Sequence, residues 1–256
     1  MNLADSKQRF SSRVADYLRY RPSYPPALLE LLRAECDLRP GHVVADVGSG
    51  TGFLSELFLK NGNRVYGIEP NKEMRQAGEE YLASYDGFSS IEGSAEATTL
   101  DDASIEFVTA GQSFHWFDPA ASRVEFARIL KPAGWMVIAW NDRRMEDAPF
   151  TREYEAILER FGIDYKTVKS SYPEAALISA FLGAFSHRDL PNHQILDWDS
   201  LCGRLRSSSF TPTEGHPDFA PMIEELHKLF AAFQQDGRVR MDYFTRIYYG
   251  RLEAGA

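Results

Sequence analysis

A chain of 256 residues, 44% hydrophobic and 25% charged, has the length and composition of one ordinary globular domain with room for an inserted lid. A formal net charge of -9 opposes a sequence-independent grip on phosphate backbones, and no run of Lys or Arg makes a basic stripe, so nucleic acid is not an expected partner. Cys36 and Cys202 lack CxxC or Cys/His spacing, which speaks against a disulfide framework and a zinc site and fits a reducing, cytoplasmic setting.

In chain order, the polar stretch Met1 to Phe10 lacks the apolar centre of a signal peptide, and residues 1–41 read as a helical cap. No segment approaches the apolar length that crosses a bilayer, so no membrane association is expected. From Arg39-Pro40-Gly41 onward, strand-like apolar runs alternate with helical patterns, the order of a parallel sheet with crossover helices, and residues 42–145 form that core. His42 to Val47 is the first strand and runs into glycines. Phe53 to Lys60 carries Phe53, Leu54, Leu57 and Phe58 at helical spacing and stops at Asn61-Gly62-Asn63.

Arg64 to Glu69 reads as the second strand, Asn71 to Ser84 as the second helix, Phe88 to Gly93 as a short third strand and Ile105 to Gln112 as the fourth. Asp118 caps a helix with Pro119 at its first position and Ala120, Val124, Ala127 and Leu130 on its inner face. Lys131-Pro132-Ala133-Gly134 ends that helix, and Trp135 to Trp140 is the fifth strand.

In the C-terminal half, 146–256, Ala148 to Phe161 and Pro221 to Phe233 are helical, while Phe185 to Leu196 and Met241 to Leu252 are strands forming a closing antiparallel pair. Residues 200–237 read as an insertion over one sheet end, with Ser207-Ser208-Ser209 marking a flexible cover. The expected fold is a single doubly wound α/β domain.

The strongest chemical signal is Val44-Ala45-Asp46-Val47-Gly48-Ser49-Gly50-Thr51-Gly52-Phe53, a strand that empties into closely spaced glycines and then a helix, so that a ligand can approach the backbone. Glu69 ends the next strand about twenty residues on, where an acid holds ribose hydroxyls. The dinucleotide fingerprint needs Gly or Ala at its sixth position, where this chain has Phe53; a nicotinamide-dependent oxidoreductase is therefore the weaker reading.

Asp46 to Gly52 resembles the first motif of class I S-adenosylmethionine-dependent methyltransferases, and Glu69-Pro70 resembles the second, whose acid binds the ribose diol. Ser94-Ala95-Glu96 is similar to the segment that meets the adenine, Gln112 falls at the end of strand four, and Ile129 to Gly134 resembles the turn before strand five; together these cover Val43 to Asn141. Tyr17 to Pro25 and Gln112 to Phe117 resemble the trans-aconitate methyltransferase-like branch, which is associated with small acids and other metabolites.

The resemblance implies a Rossmann-like sheet, mostly parallel, with S-adenosylmethionine as cofactor and S-adenosylhomocysteine as product. It places Tyr20, Arg21, Asp46, Gly48, Ser49, Gly50, Gly52, Glu69, Pro70, Met74, Ala95, Glu96 and Gln112 at the cofactor. The implied reaction is methyl transfer by in-line displacement to a small-molecule acceptor, at a carboxylate or hydroxyl oxygen. A protein that binds the cofactor without catalysis is the alternative.

Around the acceptor, His115 after strand four can take a proton or orient the substrate, or equally be a packed histidine among Phe114, Trp116 and Phe117. Tyr17 and Trp116 are candidate acceptor contacts. Arg143 and Arg144, past strand five, can clamp an acidic acceptor or stand in a solvated turn. No metal site is expected, because Asp142 has no companion carboxylate at the end of strand four, where Gln112 stands.

Overall fold

The computed structural model describes residues 14–170 and 175–252, so the stretch Met1 to Phe10 lies outside the described residues. Helices α1 (Val14–Tyr20) and α2 (Ala27–Cys36) lead into β1 (Val43–Val47), α3 (Phe53–Lys60), β2 (Arg64–Ile68), α4 (Lys72–Tyr81), β3 (Phe88–Ile91) and β4 (Ile105–Gly111). A short 3-10 turn (Phe114–Trp116) precedes α5 (Pro119–Ile129) and β5 (Leu130–Arg143). The chain continues through α6 (Pro149–Phe161), α7 (Tyr165–Ser170), α8 (Ala175–Leu182), β6 (Phe185–Leu196), α9 (Trp198–Arg206), α10 (Phe219–Phe233) and β7 (Val239–Gly250).

Local chemistry sets several of these boundaries. Asn71 caps α4 by accepting the Met74 amide, Asp118 caps α5 by accepting the amides of Ala120 and Ala121, and Asp197 caps α9 by accepting that of Ser200. Pro119 occupies the first turn of α5, where its missing N–H costs nothing.

The seven strands form one sheet in the order β3-β2-β1-β4-β5-β7-β6. Strands β1 to β5 pair in parallel, and β7 joins β5 and β6 antiparallel, so the closing strand pair expected at the C-terminus is present. The strand order reverses between β1 and β4, and there the carboxyl ends of a doubly wound sheet open a crevice.

Apolar side chains cover both sheet faces. Leu28, Leu32, Phe58, Phe107, Ile247 and Tyr249 pack on one side, and Ala45, Ile68, Val108, Phe126, Ile138 and Phe181 on the other. A third core, built from α6, α9, α10 and the start of β7, buries Tyr154, Leu158, Leu201, Leu205, Met222, Leu226 and Met241.

That third core corrects one expectation: Ser207 and Ser208 are buried, and Ser207 Oγ donates to the Arg204 carbonyl, so this serine run is a packed helix end and not a loose cover. The inner face of α5 is also different, being Ser122, Glu125, Phe126 and Ile129, while Val124 is exposed. Glu125 is drawn inward because its carboxylate accepts from the Thr98 amide and hydroxyl and pairs with Arg128, bonds that an apolar count does not register.

Lys131 to Gly134 is not a free turn but a bulge within β5, where pairing steps from Ile105–Leu130 to Phe107–Trp135 with Ala133 at φ 65°. Helix α4 ends at Tyr81, short of Ser84, and β3 ends at Ile91. Among the described residues no helix is long and apolar enough to cross a membrane.

Candidate functional site

The glycine turn after β1 is built by contacts that leave no room for side chains. Gly48 has φ 66°, and a Cβ there would lie 2.5 Å from Ser113 Cβ; Gly52, at φ 90°, would meet Leu82 at 2.6 Å. The turn therefore lies between the segment after β4 and the end of α4, and its Gly48 and Ser49 amides donate to the Ile68 carbonyl.

Two carboxylates frame this turn. Glu69 Oε2 accepts the Gly50 amide at 2.9 Å and Oε1 accepts the Asn71 amide at 2.8 Å. Burial pushes the Glu69 carboxyl up, and those two amides pull it back. Asp46 is 1% exposed and accepts from Ser55 Oγ (2.6 Å) and Thr109 Oγ1 (3.1 Å). Burial outweighs these bonds and raises its pKa to about 6.

Above them runs a cleft in two halves. The first half is lined by Glu69, Pro70, Asn71, Met74, Ala95, Glu96, Ser113, Trp116 and Phe117, and the second by Arg21, Tyr24, Asp46, Ser49, Thr51, Asn141 and Arg204. Tyr17, Gly48, Gly50, Gly111 and Gln112 line both, which makes the halves continuous.

Of the residues expected at a cofactor, Arg21, Asp46, Gly48, Ser49, Gly50, Glu69, Pro70, Met74, Ala95, Glu96 and Gln112 line the cleft, as do Tyr17 and Trp116. Gln112 is held at φ 57°, and its Oε1 accepts the Asn141 amide at 2.9 Å. Gly52 and Tyr20 stand back from the cleft: Gly52 caps α3, and Tyr20 is buried against α9.

His115 does not line the cleft. Its ring lies 4.5 Å from that of Trp116 and 5.1 Å from that of Trp140, and burial lowers its pKa to about 4, so it is neutral at neutral pH. Arg143 and Arg144 are also elsewhere. Arg143 Nε pairs with Glu155 at 2.6 Å and its Nη2 donates to Tyr165 Oη at 2.6 Å, inside the third core. Arg144 lies over the Phe244 ring, 5.4 Å from its centroid.

Asn71, Thr51 and Arg204 also line the cleft, beyond the residues that the motifs single out. Asn71 had a signal, since it caps α4, but Arg204 had none: it lies far along the chain on a helix that only the tertiary fold brings to the cleft.

The signature of a methyltransferase domain matches residues 45–138, which carry the glycine turn, Glu69 and Gln112. An uncharacterized methyltransferase of Schizosaccharomyces pombe is 30% identical over 93% of this chain and 95% of its own length. This chain belongs to the methyltransferases. An uncharacterized methyltransferase of Mycobacterium bovis is 35% identical over 158 residues, and the match spans 62% of each protein. The fold is shared with a structure from Anaeromyxobacter dehalogenans described as a type II methyltransferase candidate, with a TM-score of 0.65, 21% identity and coverage of 92% of this chain and 100% of that one.

The cleft fits S-adenosylmethionine, the cofactor that the resemblance of its motifs implies. Each Glu69 oxygen, having accepted one amide, retains a lone pair for a ribose hydroxyl. Thr51 Oγ1 is buried without a hydrogen-bond partner among the described residues and lines the half that holds Asp46, where a polar ligand end would satisfy it.

Proposed function

We propose that this methyltransferase moves the methyl group of S-adenosylmethionine to an oxygen of a small-molecule acceptor, and that it belongs to the trans-aconitate methyltransferase-like branch. The observation that carries the proposal is the Gly50–Glu69 bond in the lining of a cleft that reaches Asp46. It supports a ribose acceptor, Glu69, in one half and an ammonium acceptor, Asp46, in the other. The bound sulfonium supplies both the methyl group and a good leaving centre.

The chain's own residues position and shield. Tyr17, Trp116 and Phe117 present aromatic surface that favours a cation and excludes water. Among the described residues no histidine or lysine lines the cleft, which suits an acceptor that arrives already ionised. His115 stays neutral behind Trp116 and acts as a positioning residue for that ring.

The acidic balance of the chain supports a small acceptor over a nucleic acid. Cys36 and Cys202, both buried free thiols, support a cytoplasmic setting. Tyr17 and Arg21, from the segment that carries the branch resemblance, both line the cleft.

Calorimetry with S-adenosylhomocysteine tests the cofactor half, and a methyl-transfer screen on small acids and alcohols tests the acceptor half. Glu69→Ala is expected to weaken binding at least about tenfold, the scale of losing charge-assisted bonds to the ribose. Gly50→Val should do the same, because it places a branched side chain at φ 55° against Met74. A folded wild-type protein that binds no cofactor would overturn the proposal, and binding with no transfer to any acceptor would leave a non-catalytic binder.

A further inference from the structure

Arg204 is a buried charge with no counter-ion. It is 2% exposed, sits on α9 and lines the half of the cleft that contains Asp46. Its Nε donates to Tyr243 Oη at 3.3 Å and its Nη1 to Ser208 Oγ at 3.2 Å, two long bonds to neutral groups. Among the described residues no ion pair includes it.

The contrast with Arg143 is informative, because that guanidinium, in the same core, is neutralised by Glu155. Beside Arg204 the Tyr154 hydroxyl is buried without a hydrogen-bond partner among the described residues, and the charge acting across to Arg204 from Arg143 is of like sign. Proteins bury charges paired or coordinated, since an isolated one carries the full desolvation penalty. An unpaired guanidinium facing a ligand cleft is therefore provisioned for a ligand.

We propose that Arg204 is the anion-binding residue of the acceptor subsite, and that the acceptor carries a carboxylate or comparable anionic group distinct from the atom that is methylated. This rests on the methyl-transfer reading above. The cofactor brings one carboxylate, and Arg21 supplies a first guanidinium in the same half of the cleft, its Nη2 fixed on the Ser207 carbonyl at 2.8 Å. Arg204 is a second guanidinium, and it comes from outside the 45–138 segment that matches the shared methyltransferase domain. With Arg21 in place to meet the cofactor carboxylate, Arg204 remains for an anionic group of the acceptor.

The anion at Arg204 is an anchor and not the nucleophile. A nucleophilic anion loses its charge in the transition state, so a guanidinium that holds it stabilises the ground state more and slows the reaction. The methyl group passes from sulfur to the separate nucleophilic atom, and no bond to the anchoring group forms or breaks.

The test uses wild type and Arg204→Met with four probes: S-adenosylhomocysteine, 5′-methylthioadenosine (which lacks the amino-acid end), glutarate and its neutral diamide. Without ligand, R204M is expected to melt at or above wild type, because an uncompensated charge has gone. Both nucleosides should bind the two proteins within about twofold of one another. In the S-adenosylhomocysteine complex, glutarate should raise the wild-type melting temperature and the diamide should not, a preference that R204M lacks.

Equal response of the wild-type complex to glutarate and the diamide would overturn the inference, as would a ligand-free R204M that melts well below wild type, the mark of a structural arginine. Weaker S-adenosylhomocysteine binding with unchanged methylthioadenosine binding would reassign Arg204 to the cofactor carboxylate. A wild type that binds neither nucleoside defeats the methyl-transfer reading itself, an outcome distinct from these.

Discussion

Gly203 of α9 lies against the Tyr20 ring of α1 so closely that a Cβ added at Gly203 would stand 2.1 Å from Tyr20 Cε2. The contact joins the C-terminal cap to the segment that places Tyr17 and Arg21 over the cleft. Two further bonds hold the same junction: Gln194 Nε2 donates to the Tyr20 carbonyl at 2.9 Å, and Arg21 Nη2 to that of Ser207 at 2.8 Å.

Gly203→Ala is therefore expected to destabilise the protein by about 1–3 kcal/mol through overpacking, although Gly to Ala within a helix otherwise gains roughly 1 kcal/mol. Displacing α1 should also weaken S-adenosylhomocysteine by several fold. Calorimetric melting and titration check both; a variant more stable than wild type would show that α1 shifts at no cost.

Asp46 makes stability and binding oppose one another. Its carboxyl has a folded pKa of about 6 against an ordinary value of 3.8, so between these pH values the folded state keeps a proton that the unfolded chain has lost. Stability therefore falls as pH rises through that window, leaving a penalty on the order of 3 kcal/mol above it. Asp46→Asn is expected to melt higher than wild type near neutral pH, with the gain shrinking towards about pH 4. The same change should weaken S-adenosylhomocysteine about tenfold or more, since the ammonium loses its charged partner. Wild-type affinity should itself decline as pH drops through about 6. Lower stability of Asp46→Asn near neutral pH would mark the ionised carboxylate as structural.

His115 has the opposite sign. Burial lowers its pKa from 6.5 to about 4, so in that interval the unfolded chain binds the extra proton and stability is lost as pH falls. His115→Gln cannot titrate, and its melting temperature should fall less than that of wild type between about pH 7 and about pH 4.5. Because Asp46 gains stability over part of the same range, the comparison is made between variant and wild type at each pH. S-adenosylhomocysteine affinity should change by less than about twofold, since the imidazole lies outside the cleft. Parallel acid limbs for the two proteins would show that His115 is protonated in the folded state.

The alternation of strands and helices, the glycine turn and the caps at Asn71, Asp118 and Asp197 are written locally, in spacing and in side chains that bond their own neighbours. The sequence by itself therefore determined the doubly wound sheet, the closing β6–β7 pair and the placing of Asp46, Gly48 and Glu69 at one crevice. Which face of α5 turns inward, and whether Arg143 meets solvent or Glu155, depends on partners from distant elements. Arg204 is the clearest case: nothing within its own helix distinguishes it from Arg206, yet one is buried at the cleft and the other lies at the surface near Asp16. Only the packing of α9 on α1 decided that difference, because burial and charge pairing belong to the surroundings of a side chain and not to its place in the chain.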